Sequence, residues 1–330
     1  MLKILNIGCM LNSQDLFKKQ FPQFTAKWVI MTNMKNRLTQ PTLEVPEELE
    51  IQTSTLRLVA KCWGKPDGLP VLALHGWLDN AATFDHLAPF LPEFRLVSLD
   101  LPGHGFSDHR PPGTSYHFTD MVVDVLEVAE VLKWDHFSLL GHSMGAGIAS
   151  YLAGTIPEKI KYLMLIDGLG SIVQAPEEMP ENLREATSQW LRRSDKKLPL
   201  YPNMETAIKV RHNTGSIAVS SVRTLVARGL QIVDGGFTWR SDPSLKIRSR
   251  HYLIKEQACA FLQKISAPVL LIEAKNEKKD QWNELMQELI PHVKNLRHRI
   301  ITGDHHLHLD NPESVADVIH EFLNDFSENS

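Results

Sequence analysis

The segment LLGHSMGAG, residues 139–147, constrains the fold of this chain more than any other stretch. An apolar run ends there in two glycines, Gly141 and Gly145, which bracket the hydroxyl of Ser143. Glycine in the interior of a strand or helix costs stability, so glycines at this spacing need a structural reason. Helical periodicity follows directly, at residues 146–157. The pattern predicts a strand, a sharp turn at Ser143 and a helix.

The same alternation of short apolar runs and helical periodicity covers most of the chain. Segments typical of strands lie at 56–63, 71–76, 94–100, 136–141, 162–167, 268–273 and 297–302. Segments with helical spacing lie at 81–91, 119–133, 146–157, 281–290 and 313–326. Near-continuous apolar strands are buried on both faces. We therefore expect an α/β fold with a doubly wound, mostly parallel sheet and helices on both sides.

Residues 168–267, the insert, interrupt this alternation. The insert has segments with helical spacing, and its sequence does not predict a core strand. An insertion of this length between two strands of a compact sheet predicts a helical cap or lid. The expected organisation is an N-terminal extension at 1–45, a core formed by 46–167 and 268–330, and the insert as the cap.

Composition and charge exclude several classes of protein. Of the 330 residues 43% are hydrophobic, and the formal net charge is −4, whereas nucleic-acid binders usually carry a basic surface. No apolar stretch approaches the roughly 20 residues of a membrane span. We therefore expect no nucleic-acid partner and no stable membrane insertion. The three cysteines are far apart and odd in number, which indicates a reducing compartment.

The first forty residues differ from the rest in charge. They contain six Lys or Arg residues and a single acidic residue, Asp15. This excess of positive charge is typical of an organelle transit peptide. An unstructured tail is the alternative. We expect a cytoplasmic protein, or a mitochondrial one if residues 1–40 are a transit peptide.

Ser143 has the surroundings of a nucleophile. G-x-S-x-G between a strand and a helix is the pattern of a nucleophile elbow, in which the residues two before and two after the serine nearly touch. The turn lifts the hydroxyl to a helix N-terminus, which favours developing negative charge. An oxyanion hole needs two backbone N–H groups. Met144 supplies one, and Trp77 in LHGWLDN (74–80) fits the other.

The serine needs a general base, which we expect after the last strand. The segment ITGDHHLHLDNP (301–312) holds three histidines. His305 is the first candidate, and His306 and His308 are the alternatives. A metal site would need further ligands, and neither the cysteines nor a second histidine motif supplies them. We therefore expect neither a metal nor a cofactor.

Several motifs in combination resemble the α/β-hydrolase superfamily: HGWLDN, DLPGHGFSD, GHSMG and GDHHLHLDNP. Within it, LHGWLDNAATFD, LKWDHFSLLGHS and GFTWRSDPSL resemble the serine hydrolase-like (kraken-like) group, over about residues 50–325. The resemblance implies an eight-stranded α/β-hydrolase fold, a helical cap after strand 6, and hydrolysis through an acyl-enzyme. The family pattern H-x-x-H-x-x-x-P matches His305, His308 and Pro312, in agreement with His305 as the base.

The acid of the triad is where this chain departs from the family pattern. The family has P-V-L-L-I-x-G-x-x-D, whereas here Ala274 replaces the glycine and Glu277 occupies the acid position. Asp280 lies three residues further on, and Asp167 ends the sixth strand. The acid fixes the tautomer of the histidine, so its position matters more than its identity. We rank Glu277 first, Asp167 second and Asp280 third.

These residues predict a serine hydrolase for carboxylic esters or related small acyl substrates, with Ser143 attacking the carbonyl carbon. A serine at this position disfavours dehalogenase and epoxide hydrolase chemistry, which needs a carboxylate nucleophile. The irregular acid region keeps open a hydrolase-derived sensor or binding protein with little turnover. A C–C hydrolase or acyltransferase that uses the same serine is a third hypothesis.

Overall fold

The computed structural model describes residues 45–193, 197–275 and 281–327, so most of the predicted N-terminal extension lies outside it. The strands are β1 (Glu47–Gln52), β2 (Arg57–Trp63), β3 (Leu69–Leu74), β4 (Phe94–Asp100), β5 (Phe137–His142), β6 (Ile160–Ile166), β7 (Leu230–Val233), β8 (Gly236–Trp239), β9 (Val269–Lys275) and β10 (Leu296–Thr302). The α-helices are α1 (Phe118–Val131), α2 (Met144–Thr155), α3 (Met179–Leu191), α4 (Met204–His212), α5 (Val219–Gly229), α6 (Lys255–Lys264), α7 (Gln281–Leu289), α8 (Leu307–Asp310) and α9 (Pro312–Ser327).

Eight of these strands form one sheet in the order β1-β2-β4-β3-β5-β6-β9-β10. Strand β2 runs antiparallel to both β1 and β4, and every other pair of neighbours is parallel. The predicted mostly parallel, doubly wound, eight-stranded sheet is confirmed. The chain passes from β3 to its neighbour β4 and then crosses to β5 on the other side of β3, so the winding direction reverses beside β3. In such sheets ligands bind beyond the carboxyl ends of the strands at this switch point.

Alternate residues of the central strands face opposite sides of the sheet, and both sides are apolar. In β3, Leu72 and Leu74 join the cluster formed with α1, α2, α6 and α7. Val71 and Ala73 face the opposite cluster, to which α9 contributes Phe322. Because all four strand side chains are fully buried, the strand lacks polar alternation, as expected for a parallel sheet covered on both faces.

Two expectations about single elements are wrong. Strand β1 was not predicted, because three of its six residues are glutamates and only Leu49 and Ile51 alternate as apolar residues. The helix predicted at 81–91 is instead two short 3-10 helices, Ala81–Phe84 and Ala88–Phe90. Pro89 lacks the N–H that a continuous helix requires, and its ring would clash with the preceding turn.

The insert contains α3 to α6 and the β7–β8 hairpin, which lies outside the main sheet. Helices α4 and α5 share a small apolar core of their own, including Ile208 and Val222, and Leu309 of α8 joins it. Helix α6 instead packs Ala258 and Leu262 into the apolar cluster that Leu72 and Leu74 of β3 also join. In the described ranges, no helix is both long enough and apolar enough to cross a membrane.

A buried ion pair ties the insert to the sheet. Arg228 of α5 is only 7% exposed, and Asp100, at the end of β4, is fully buried. Their Nη2 and Oδ2 atoms are 2.7 Å apart. The Asp100 carboxylate also accepts hydrogen bonds from the backbone N–H groups of Ala81 and Phe106. The Asp100 side chain therefore stabilises the two backbone segments at Ala81 and Phe106 and also holds α5 against the core.

We expect Asp100→Ala to lower the free energy of unfolding by about 3 kcal/mol or more. The substitution leaves Arg228 buried with Glu48 as its remaining ionic partner, and it removes an acceptor from two backbone N–H groups. Urea unfolding followed by circular dichroism measures the loss. As a control, Glu205→Ala breaks an exposed pair with Arg223 in the same insert and should cost less than about 1 kcal/mol. Equal losses in both variants would contradict this account.

Candidate active site

Ser143 lies at the sharp turn between β5 and α2, as the sequence predicts. Its backbone has φ 52° and ψ −116°, a strained conformation that costs a non-glycine residue about 1–3 kcal/mol. The turn is held from both sides, because the Ser143 N–H donates to the carbonyl of Ile166 and the Ser143 carbonyl accepts from the N–H of Gly147. Strain of this kind is often found where a side chain must be presented for chemistry.

The two glycines of the turn are required by two different contacts. A Cβ on Gly141 would lie 2.5 Å from the carbonyl oxygen of Gly145, so this glycine lets the turn close on itself. A Cβ on Gly145 would lie 2.0 Å from the carbonyl oxygen of Leu74 in β3. Gly145 therefore lets α2 start directly above the neighbouring strand. The sequence predicts the first contact, and the second depends on the strand order.

His305, in the loop after β10, forms a short hydrogen bond with Asp167, the residue that follows β6. Its Nδ1 atom donates to Asp167 Oδ2 at 2.6 Å. The Asp167 side chain is 6% exposed, and its Oδ1 atom accepts from the N–H of Ala274 at 2.9 Å. Because the carboxylate holds the proton on Nδ1, the Nε2 atom is left as the basic nitrogen.

Of the three candidate acids, Asp167 is the one that the described residues bring to the imidazole. It stood second in the ranking from sequence. Glu277 and Asp280 both lie in 276–280, outside the described residues. The residues keep the chain order serine, acid, histidine.

The alternative histidines are engaged elsewhere. His306 Nε2 donates to Asp79 Oδ2 at 2.9 Å. His308 is fully buried, and its Nε2 atom lies 2.8 Å from the hydroxyl of Thr83. Burial, together with the neighbouring imidazoles, holds the pKa of His308 well below its ordinary value. The side chain of His305 is 41% exposed, against 11% for His306, so His305 is the more accessible of the two histidines of this segment that line the cavity.

Ser143 and His305 line the same cavity, which has a volume of about 750 Å³. The Gly76–Trp77 loop after β3 forms part of its wall on the core side. The insert contributes Arg211 and residues 214–216 on the other side. The cavity thus lies beyond the carboxyl ends of the strands, between core and insert, as expected for this topology.

Of the two candidate oxyanion donors, Met144 directly follows Ser143 in the chain, and Trp77 lines the same cavity as Ser143. Met144 is the first residue of α2, and the first N–H groups of a helix have no partner within it. Trp77 belongs to a tight turn closed by a hydrogen bond from the Asp79 N–H to the Gly76 carbonyl. Trp77 is 52% exposed, and its indole N–H donates to the carbonyl of Leu245 in the insert. Trp77 is therefore not a core aromatic residue.

A second group of polar residues on the cavity wall was not predicted from the sequence. The Asp79 side chain is 3% exposed, and it accepts from His306 and, at 3.1 Å, from Arg211 Nη2. Burial alone would raise the pKa of Asp79, but these two neighbours hold it well below its ordinary value. His142, directly before the nucleophile, is fully buried and donates from Nε2 to the carbonyl of His305 at 2.8 Å. No motif indicates that these side chains meet.

Comparisons with known proteins agree with this geometry. A family model described as the alpha/beta hydrolase fold matches residues 70–209. A serine hydrolase-like protein of Dictyostelium discoideum is 33% identical over 84% of this chain and 81% of its own length. The structure of a hypothetical protein from Pseudomonas aeruginosa is 40% identical with a TM-score of 0.79, covering 85% of this chain and 99% of that one. A thioesterase domain from the curacin biosynthetic pathway is 27% identical with a TM-score of 0.72, covering 84% and 99%.

The fold and the site define an α/β hydrolase. The chain belongs to the serine hydrolase-like group of that family.

Proposed function

We propose that this protein is a serine hydrolase that cleaves carboxylic esters or related small acyl substrates through an acyl-enzyme on Ser143. The observation that carries the proposal is the 2.6 Å contact between His305 Nδ1 and Asp167 Oδ2. It lies at the cavity into which the strained turn brings Ser143. A candidate nucleophile, a candidate base and a carboxylate that orients the base at one cavity support this proposal.

In the acylation step, Ser143 Oγ attacks the carbonyl carbon of the substrate and its proton passes to His305 Nε2. The Asp167 carboxylate stabilises the resulting imidazolium. The backbone N–H groups of Trp77 and Met144 stabilise the negative charge on the former carbonyl oxygen. The tetrahedral intermediate then collapses, the imidazolium protonates the leaving alcohol, and the acyl group stays on Ser143.

In the deacylation step, water replaces the alcohol. His305 Nε2 takes a proton from the water as its oxygen attacks the acyl carbon, and then returns that proton to Ser143 Oγ. The carboxylic acid is released and the enzyme is restored. The same imidazole serves as base and acid in both halves, so its tautomer must be fixed throughout.

The position of Asp167 favours turnover over ligand sensing. The sensor hypothesis rested on the irregular acid segment around Glu277, and Asp167 supplies a carboxylate from the end of β6 instead. The cavity of about 750 Å³ lies in the range that holds drug-sized ligands, roughly 300–1,000 Å³. The similarity to a thioesterase domain also supports an acyl substrate.

Hydrolysis of p-nitrophenyl esters of graded acyl length tests the proposal. We expect release of p-nitrophenol by the wild-type protein, with a kcat/KM that depends on chain length because the cavity walls contact the acyl group. Lipid esters, assayed in the same way, extend the test to longer acyl chains. If no ester is cleaved faster by the wild-type protein than by Ser143→Ala, the proposal is wrong.

A further inference from the structure

Three side chains on the cavity wall, Asp79, His142 and His306, place metal-ligand atoms close together next to the catalytic group. One carboxylate oxygen and one imidazole nitrogen from each histidine all lie within 4.8 Å of one another. All three residues are buried, yet all three line the cavity that also holds Ser143. The cluster is thus buried and can be reached from the cavity.

The tautomer of His142 leaves one nitrogen available. Its Nε2 atom faces the carbonyl oxygen of His305 at 2.8 Å, and a carbonyl can only accept, so Nε2 carries the proton. Nδ1 is then an unprotonated acceptor, and it is buried without a hydrogen-bond partner among the described residues. In protein metal sites, a ligating imidazole typically donates its other N–H to a carbonyl or carboxylate in this way.

Gly76 keeps the space in front of this nitrogen open. A Cβ at position 76 would lie 3.0 Å from His142 Nδ1 and 3.4 Å from Asp79 Oδ2. The missing side chain therefore leaves room between two of the candidate ligands. Arg211 contacts the other oxygen of Asp79, so the pair with Arg211 can persist when Oδ2 binds an ion.

We propose that Asp79, His142 and His306 form a binding site for a divalent transition-metal ion of the zinc class. Two imidazole nitrogens and one carboxylate oxygen suit Zn²⁺, Co²⁺ or Ni²⁺, whereas Mg²⁺ and Ca²⁺ prefer oxygen ligands throughout. When the ion binds, the hydrogen bond between His306 Nε2 and Asp79 Oδ2 is lost and both atoms bind the ion instead. The proton of His306 is then on Nδ1. The remaining coordination positions face the cavity.

Calorimetric titration of the wild-type protein with Zn²⁺, and with Mg²⁺ for comparison, tests the proposal. We expect one Zn²⁺ per chain and no Mg²⁺ binding. His306→Gln keeps a side-chain donor for Asp79 but loses the ligand nitrogen, and we expect it to weaken Zn²⁺ binding at least about 100-fold. His142→Gln should give a similar loss, and His136→Gln, which alters an exposed histidine, should give none.

This measurement does not depend on hydrolysis, so it separates the metal site from the proposed function. Thermal melting of each variant checks that the fold is kept. The visible absorption of bound Co²⁺ gives a second readout of nitrogen ligation. Unchanged Zn²⁺ affinity in both His306→Gln and His142→Gln would overturn the proposal. So would a loss confined to His305→Gln, because the ion would then sit on the catalytic histidine.

Discussion

Replacement of Ser143 with alanine is expected to lower kcat for ester hydrolysis by about 10⁴-fold or more, as is usual when the nucleophile of a triad is removed. Alanine accepts the same strained backbone about as well as serine, so the turn should persist and the melting temperature should change little. Residual activity would come from the oxyanion donors and from substrate binding alone. Steady-state kinetics with the best p-nitrophenyl ester, alongside circular dichroism, measures both quantities.

Ser220→Ala serves as the matched control, since Ser220 is exposed on α5. Its kcat should equal that of the wild-type protein. A Ser143→Ala variant that keeps more than about a tenth of the wild-type kcat would contradict the assignment of Ser143 as the nucleophile.

Replacement of Asp167 with asparagine is expected to lower kcat by about 10⁴-fold. Asparagine keeps an oxygen for the N–H of Ala274, so the local structure should hold. It removes the charge that stabilises the imidazolium, and its amide can donate to His305 Nδ1 and so favour the wrong tautomer. Steady-state kinetics measures kcat, and fluorescence-detected melting checks the fold.

Glu277→Gln and Asp280→Asn complete this experiment, because both residues were candidates from sequence. Each should change kcat by no more than a few-fold if Asp167 is the acid. A 10⁴-fold loss in Glu277→Gln with a nearly active Asp167→Asn would restore the ranking from sequence and would contradict the role of Asp167.

The sequence predicts the features of this fold that depend on local pattern. Val, Ile and Leu runs predict the parallel strands, because burial on both faces leaves no polar alternation. Gly141, Ser143 and Gly145 predict the turn, because a tight bend restricts the residue types at fixed offsets. Strand β1 was missed since three of its six residues are glutamates and it is an edge strand, where no local rule requires an apolar run.

The parts of the site that depend on strand order could not be ranked from sequence alone. Asp167 reaches His305 because β6 lies between β5 and β9 in the sheet, a fact that no local pattern around Asp167 encodes. The same holds for Asp79, His142 and His306, which come from three distant segments. The histidine segment suggested no metal site, because two of the three candidate ligands lie far from it in the chain.

Labelling with a fluorophosphonate, followed by mass spectrometry of the proteolytic peptides, tests the central claim most directly. The reagent phosphonylates a serine only when a neighbouring base activates it. We expect one adduct per folded chain, located on Ser143, and little or no adduct after unfolding or in His305→Gln. Absence of an adduct in the folded protein, or an adduct on a different residue, would contradict it.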